Sequence, residues 1–297
     1  MIEAQEKAAS PRLTVASSDK LAPFGFPRNP LGNRYVYAVI SPRARGLSVG
    51  VNLNPSRHCN FDCIYCEVNR VNASEIDEAV DLQILAAELE HTLKEIHIGD
   101  LHLNFPGVPA ELLRLRHVAL SGDGEPTICP NFAEAVETVV HLRASARVPY
   151  FKLVLITNAS GLDRLEVKYG ISLLTRRDEI WAKLDGGSQA YIDRINRAQI
   201  PLEQVLDNIR TLGQQRPVII QTMIPSIHGA NPFDGEIEAY AARLRELKEA
   251  GAQISLVQIY SANRPTPHSE CGHLPLKTLS EVAKRVRAAT GLRTEVF

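Results

Sequence analysis

The sequence lacks the features that mark membrane, secreted and strongly nucleic-acid-binding proteins. No apolar run among its 297 residues approaches the length that spans a bilayer, and the opening MIEAQEKAAS contains no secretory core. The formal net charge is only −1, so the chain has no overall basic surface for nucleic acid. We therefore expect a cytoplasmic protein that does not associate with membranes.

Cysteine is scarce, and its distribution is uneven. Three of the five cysteines, Cys59, Cys63 and Cys66, stand in one CxxxCxxC stretch. Grouped thiols in a chain without a secretory signal indicate metal ligation rather than disulfides. A structural zinc or a fully ligated Fe–S cluster takes four protein ligands, so three thiolates leave one metal position open for catalysis. Two alternatives are a zinc site completed by a distant His or Cys, with His58 adjacent, and a set of free thiols.

The chain also lacks a GxGxxG stretch after its first parallel strand, which argues against a dinucleotide-binding sheet. Apolar strand patterns instead alternate six times with amphipathic helices, one of them capped by Asp234. Uniformly apolar strands predict a parallel sheet covered by helices, in the order of a partial (β/α)6 TIM-like barrel. We predict this barrel over residues 46–297. Residues 1–45 are predicted to form an N-terminal extension, irregular where prolines recur and ending in a strand at Tyr35–Ile40.

The cysteine stretch follows the predicted strand Leu47–Leu53, and a second motif follows the next strand. This motif is Ser121-Gly122-Asp123-Gly124-Glu125-Pro126. Its glycines permit a close backbone approach, although most such stretches are plain turns. The two motifs together resemble the radical S-adenosylmethionine (SAM) superfamily, in which Gly-Gly-Glu-Pro stands at this place. Asp123 departs from that pattern.

The resemblance implies a cofactor and a set of site residues. Cys59, Cys63 and Cys66 would hold a [4Fe–4S] cluster whose fourth iron binds the amino and carboxylate groups of SAM. Reduction by a donor such as flavodoxin or ferredoxin would cleave SAM to a 5′-deoxyadenosyl radical that abstracts hydrogen from the substrate. The implied SAM site comprises Tyr65, Gly122, Asp123, Gly124, Glu125, Asn158, Lys183 and Gln258. Two of these have a structural alternative to a contact with SAM. Tyr65 could be a core aromatic, and Lys183 could form a buried ion pair with Asp185 or Glu125.

A closer resemblance, from about residue 46 to the C-terminus, is to bacterial Fe–S oxidoreductases of the wyosine-synthase-related group. It is carried by Val51–Pro55, Ser121–Thr127, Leu155–Asn158, Lys183–Asp185 and Val257–Tyr260. The wyosine enzyme condenses pyruvate with N1-methylguanosine in tRNA and has a second cluster with its own cysteines. Only Cys129 and Cys271 remain here for such a cluster. The resemblance therefore implies the radical chemistry without the tRNA tricyclisation.

These motifs do not predict the substrate, for which we expect a small molecule or a modified nucleotide. Three other functions remain open. One is a tRNA-modifying enzyme, which only the basic excess in residues 1–46 supports. The others are an activase that installs a glycyl radical on a partner enzyme and a non-catalytic zinc protein.

The stretch His268-Ser269-Glu270-Cys271-Gly272-His273 is not explained by the resemblance. It follows the sixth predicted strand, and we expect it to lie over the barrel mouth, where it and Arg264 reach the substrate. Its His and Cys residues could bind a second metal, or Cys271 or Cys129 could donate hydrogen to a substrate radical. A solvated loop is the alternative.

Overall fold

The computed structural model describes residues 28–70, 73–74, 78–230, 235–262, 266 and 268–297. Most of the predicted extension, the predicted cap Asp234 and the predicted substrate contact Arg264 lie outside the described residues. The strands and helices of the described part are, in chain order, β1 (Val36–Ser41), β2 (Gly46–Val51), α1 (Leu82–Ile98), β3 (Leu115–Leu120), α2 (Phe132–Ala144), β4 (Leu153–Thr157), α3 (Leu165–Ser172), β5 (Glu179–Lys183), α4 (Gln189–Ile195), α5 (Leu202–Gln215), β6 (Val218–Met223), β7 (Ser226–Ile227), α6 (Glu236–Glu249), β8 (Ile254–Tyr260), β9 (Cys271–Gly272), α7 (Leu276–Thr290) and β10 (Thr294–Val296).

Eight strands of the described part form one sheet in the order β1-β2-β3-β4-β5-β6-β8-β10, and β7 pairs with β9 separately. All neighbours from β2 to β10 are parallel, whereas β1 is antiparallel to β2. The predicted partial (β/α)6 barrel is confirmed, because β2, β3, β4, β5, β6 and β8 are the six predicted strands. The three-residue β10 is a further parallel strand that the sequence analysis does not predict.

Side chains alternate between the two faces of the curled sheet. On β3, Val118 and Leu120 belong to the large core that also contains the buried helix residues, whereas Ala119 packs inside the barrel. Its partners there are Val154, Trp181 and Ile219. This alternation is the period of two expected for a strand that is buried on both faces.

Helix α1 shows how the sequence builds the outer layer. The Asp81 carboxylate accepts hydrogen bonds from the first backbone N–H groups of the helix, and Gly99 ends it in the left-handed region at φ 91°. Leu85, Leu89 and Leu93 recur every four residues and are buried against the sheet. No helix in the described part of the chain is long and apolar enough to cross a bilayer.

The β1–β2 hairpin brings the two edges of the sheet together. Arg45 Nη2 lies 2.9 Å from Glu295 Oε2 on β10, and the Arg43 guanidinium lies 4.2 Å from the centre of the Tyr260 ring. Strand β1 therefore contributes to the barrel wall although it precedes residue 46. The division between an extension (1–45) and a core (46–297) stays a prediction.

Candidate functional site

The three cysteines lie in a loop, residues 52–66, that leaves the carboxyl end of β2 (the cysteine loop). Two backbone hydrogen bonds fasten this loop to the end of α4. The Asp62 N–H donates to the Asn196 carbonyl at 3.1 Å, and the Ile64 N–H donates to the Ile195 carbonyl at 2.9 Å. The loop is therefore held across the mouth of the barrel by contacts far away in the sequence.

Each cysteine sulfur accepts a hydrogen bond from a different N–H donor. The donors are the Phe61 backbone N–H for Cys59, the Asn196 side-chain amide for Cys63 at 3.3 Å, and the Arg70 guanidinium for Cys66 at 3.4 Å. Hydrogen bonds to ligand sulfurs orient metal-bound thiolates and set the reduction potential of Fe–S clusters. These donors favour the thiolate form of each sulfur.

Burial raises the pKa of the Cys59 thiol to about 12 and that of the Cys63 thiol to about 11. Such thiols stay protonated at neutral pH unless a metal replaces the proton. Among the described residues, no three His, Cys, Asp or Glu side chains converge closely enough to hold one metal ion. Cluster thiolates each bind a different iron, so they do not need to converge on one point. Three thiolates with one open position match a [4Fe–4S] cluster that binds SAM, whereas a structural zinc ion takes four protein ligands.

The turn after β3 packs directly beneath the cysteine loop. A Cβ atom built at Gly124 would overlap the His58 carbonyl oxygen and lie 2.6 Å from the Asn54 Cβ. A Cβ at Gly122 would meet the side chain of Asn52 in the same way. The glycines are thus needed for a close backbone approach, as predicted, and at Gly124 the approach is to the cysteine loop.

Asp123, the departure from the Gly-Gly pattern, joins three segments of the chain. Its Oδ1 lies 2.6 Å from Arg28 Nη1, and its Oδ2 accepts a hydrogen bond from Asn52 Nδ2 at 2.9 Å. Arg28 in turn stacks on the Tyr37 ring, 3.7 Å from its centre. The carboxylate thus connects the segment before β1 to the barrel mouth, and its role at SAM stays a prediction.

Glu125 is buried, and both of its oxygens accept hydrogen bonds from the protein. Oε1 accepts from the Thr127 hydroxyl at 2.7 Å and the Thr157 hydroxyl at 2.5 Å, and Oε2 accepts from the Asn158 N–H at 2.6 Å. Burial raises the pKa of Glu125, and these donors oppose that shift. The Asn158 amide donates to Asn60 Oδ1 at 2.8 Å. Glu125 and Asn158 therefore fasten the ends of β3 and β4 to the cysteine loop, whereas their contacts with SAM stay predictions.

Asp185 is the centre of a buried network beside the cysteines. Its Oδ2 accepts hydrogen bonds from the Tyr65 hydroxyl and from Asn196 Nδ2 at 2.8 Å, and it lies 3.7 Å from Lys183 Nζ. Of the two carboxylates considered as the alternative partner of Lys183, Asp185 is the one that lies beside it, and the role of Lys183 at SAM stays a prediction. Burial lowers the pKa of Lys183, but the charge of Asp185, together with smaller effects from Tyr260 and Cys63, raises it by more, so the ammonium form is favoured. Sequence analysis missed Asn196, which no motif marks.

A cavity of about 340 Å³ occupies the interior of the barrel. At the carboxyl end of the strands its wall includes Tyr65, Cys66, Gly122 and Lys183. The structure thus brings four predicted site residues to one wall. The other predicted site residues are not among those that line the cavity: Cys59, Cys63, Asp123, Gly124, Glu125, Asn158, Gln258 and Cys271.

Gln258 is buried and accepts a hydrogen bond from Gln221 Nε2 at 2.9 Å. Its side chain is therefore paired within the sheet. Its predicted contact with the adenine, through the main chain, stays a prediction.

The segment around Cys271 is partly a strand rather than an open loop. Cys271 pairs with Ile227 and packs near Tyr65, beside the cluster side of the cavity. His268 Nδ1 lies 3.8 Å from Glu270 Oε1, while His273 Nδ1 lies 3.1 Å from the Ala262 carbonyl oxygen. The two histidines have different partners, and they belong to no metal-binding group in the described part of the chain. Hydrogen donation by Cys271 stays a prediction.

The amide of Asn196 provides a test of the cysteine surroundings. Replacing Asn196 with alanine removes the N–H donor to Cys63, which costs about 1 kcal/mol in the more negative, reduced state. We expect the midpoint potential of the cluster to fall by on the order of 40 mV. Potentiometric titration followed by EPR measures this shift. Asn131→Ala, which breaks two hydrogen bonds to Val80 instead, is the control. Equal potentials in both variants would show that Asn196 only supports the fold.

Comparison with known proteins identifies the family to which the chain belongs. A family model described as the Radical SAM superfamily matches residues 53–244. A UPF0026 protein of Synechocystis is 28% identical over 238 residues, which cover 78% of this chain and 75% of that protein.

Two solved structures share the fold. The structure of TYW1 with a lysine–pyruvate adduct bound has a TM-score of 0.56 and 15% identity, covering 86% of this chain and 84% of that chain. The structure of SuiB of Streptococcus suis bound to S-adenosylmethionine has a TM-score of 0.55 and 14% identity, and the match covers 86% of this chain and 52% of that chain. The predicted resemblance is confirmed: the chain belongs to the radical SAM superfamily, whose members use a [4Fe–4S] cluster and SAM.

Proposed function

We propose that this enzyme uses Cys59, Cys63 and Cys66 to hold the cluster and acts on a small-molecule substrate inside the barrel. When bound and reduced, the cluster and SAM supply a 5′-deoxyadenosyl radical that takes a hydrogen atom from the substrate. The reductant is a small electron-transfer protein such as flavodoxin or ferredoxin.

One observation carries this proposal: Cys66, Gly122 and Lys183 line the same interior cavity. A radical precursor held at that wall faces this cavity. Its volume of about 340 Å³ is at the lower end of typical ligand cavities. Such a space favours a small molecule, or a single nucleotide, over a folded macromolecule. A barrel interior also excludes water from a reactive intermediate.

The residues of this wall have distinct roles. Lys183, held as an ammonium by Asp185, provides a positive charge for the SAM carboxylate. The turn at Gly122 offers backbone groups for the SAM amino group. Tyr65 is fixed by its hydroxyl bond to Asp185, so its ring forms one side of the cofactor site. Asp185 positions Lys183 and Tyr65 without contacting SAM itself.

Removal of the Lys183 charge tests this arrangement. We expect Lys183→Met to weaken SAM binding by about tenfold, because one charge-assisted hydrogen bond contributes about 1.5–3 kcal/mol. Lys183→Arg should retain part of the affinity. Equilibrium dialysis with labelled SAM on cluster-loaded protein gives both values. Lys168→Met, an exposed change on α3, is the control. Unchanged affinity in Lys183→Met would remove this residue from the SAM site.

The alternatives receive less support from the site. The lysine–pyruvate adduct of TYW1 requires a lysine that attacks a carbonyl, and a nucleophilic lysine needs a lowered pKa. Lys183 is instead paired with the Asp185 carboxylate at 3.7 Å, which favours its ammonium form. This pairing favours a charge-binding role over nucleophilic attack at Lys183. A protein-docking role as a glycyl-radical activase has no specific support among the described contacts.

The activity itself is tested without knowing the substrate. Anaerobically reconstituted protein, incubated with dithionite and SAM, should form methionine and 5′-deoxyadenosine in equal amounts. Formation of neither product by protein that carries its full iron content would refute the proposal. Copurifying RNA that survives modest salt would instead favour the tRNA-modifying alternative.

A further inference from the structure

The cavity is also lined by polar groups that the proposed chemistry does not use. Ser48 and His117 face each other in register on β2 and β3, and both line the cavity. They are 5% and 3% exposed, respectively. In the described part of the chain neither side chain has a hydrogen-bond partner. Because both residues line the cavity, their polar groups are open to a ligand bound there.

A positive charge reaches the same cavity. Arg43 enters from the β1–β2 turn and stacks on Tyr260. Within the described residues its guanidinium has no carboxylate partner. The other two cations that line the cavity, Arg28 and Lys183, are paired with carboxylates, those of Asp123 and Asp185, respectively. Arg43 is therefore the lining cation that, in the described part of the chain, is engaged neither by a carboxylate nor by the proposed SAM site.

The imidazole of His117 complements this charge as a neutral donor. Burial lowers the pKa of His117 to about 3, with smaller effects from Lys152 and Arg43. At neutral pH the ring thus keeps one N–H donor and adds no charge. Its ring meets Trp181 edge to face at a centroid distance of 5.3 Å. Trp181 and Ile156 form apolar walls beside these polar groups.

We infer that Arg43, His117 and Ser48 form a subsite for the anionic group of the substrate, a carboxylate or phosphate on a small apolar or aromatic body. Arg43 binds the negative charge, and His117 and Ser48 donate hydrogen bonds to its oxygens. The apolar body lies along Trp181 and extends towards the wall formed by Cys66 and Lys183. This inference rests on the proposed function, because it assigns the substrate to the same cavity.

The subsite is tested by binding of two probe anions, benzoate and inorganic phosphate. Equilibrium dialysis of the labelled anions against reconstituted protein measures affinity, and fluorescence of Trp181, the only tryptophan, reports the location. We expect Arg43→Gln to weaken binding of the preferred anion by about tenfold, equivalent to about 1.4 kcal/mol. Arg45→Gln is the matched control, because it makes the same change on the same turn at a mostly exposed side chain. It should alter the affinity for that anion by less than about twofold.

A second variant and a neutral probe complete the test. His117→Phe keeps a ring in place and removes the N–H donor, so it should weaken binding by about threefold to tenfold. Benzamide, which has the shape of benzoate without its charge, should bind at least about tenfold more weakly. The preferred anion distinguishes a carboxylate from a phosphate substrate.

Three results would overturn the inference: no binding of either anion, benzamide binding as tightly as benzoate, or equal losses in Arg43→Gln and Arg45→Gln. The readout is independent of SAM cleavage. Protein that cleaves SAM but binds neither anion loses the subsite and keeps the proposed function. Protein that binds an anion through Arg43 without cleaving SAM keeps the subsite and loses the proposed function.

Discussion

Replacing any one of Cys59, Cys63 and Cys66 with alanine should reduce bound iron from about four atoms per chain to nearly none. The cleavage of SAM should fall by more than about 100-fold, because even changes behind the ligands of metal sites cost 10–100-fold. Each sulfur has its own N–H donor, so no neighbouring group replaces a lost thiolate. Iron and sulfide analysis after anaerobic reconstitution, with chromatography of the SAM products, measures both effects.

The remaining cysteines provide matched controls for this series. Cys129 is buried below the turn after β3, and Cys271 lies in β9. Cys129→Ala and Cys271→Ala should keep the iron content and the substrate-free cleavage of SAM. Iron loss in either control as large as in Cys66→Ala would contradict the assignment of the three ligands. Stoichiometric zinc in the wild-type protein would contradict it as well.

Gly124→Ala should remove most of the cluster even though residue 124 is not a ligand. The added methyl group would overlap the His58 carbonyl oxygen, which belongs to the cysteine loop. Because backbone cannot turn away as a flexible side chain does, the loop must shift. A shift of about 1 Å in catalytic geometry can cost about 100-fold in rate. We expect iron to fall below about one atom per chain, with SAM cleavage lost in parallel.

Gly107→Ala separates this steric effect from the general cost of replacing glycine. Gly107 has a φ of 80°, but a Cβ there would meet no atom within 4 Å. The substitution should therefore cost about 1–2 kcal/mol of stability from backbone conformation alone and leave the iron content unchanged. Full iron content in Gly124→Ala would show that the cysteine loop does not depend on this contact. Loss of SAM binding with intact iron would place the close approach at the cofactor instead.

The fold was largely predictable because its signals are local and repeated. Apolar runs, helix periodicity and the Asp81 cap are each contained within a few residues, and their alternation indicates a parallel barrel. The short β10 was missed, since three residues carry too weak a pattern. The β7–β9 ladder was missed for the same reason, and it places Cys271 in a strand.

The site was predictable only where a motif marks it. The cysteines, the glycine turn and Lys183 stand in recognisable stretches, and the Lys183–Asp185 pair lies within three residues. Asn196 reaches Cys63 from 133 positions away, which a single sequence does not show. The same holds for Arg43, whose approach to Tyr260 depends on how the sheet curls. Such contacts between distant segments are products of the tertiary structure rather than of any local pattern.

The central claim, that three thiolates hold a cluster whose open iron binds SAM, is tested most directly by EPR. The reduced protein should show a [4Fe–4S] signal that changes shape when SAM is added. With SAM labelled by nitrogen-15 at its amino group, pulsed measurements should detect coupling between that nitrogen and the cluster. A signal that SAM leaves unchanged, without nitrogen coupling, would contradict the account.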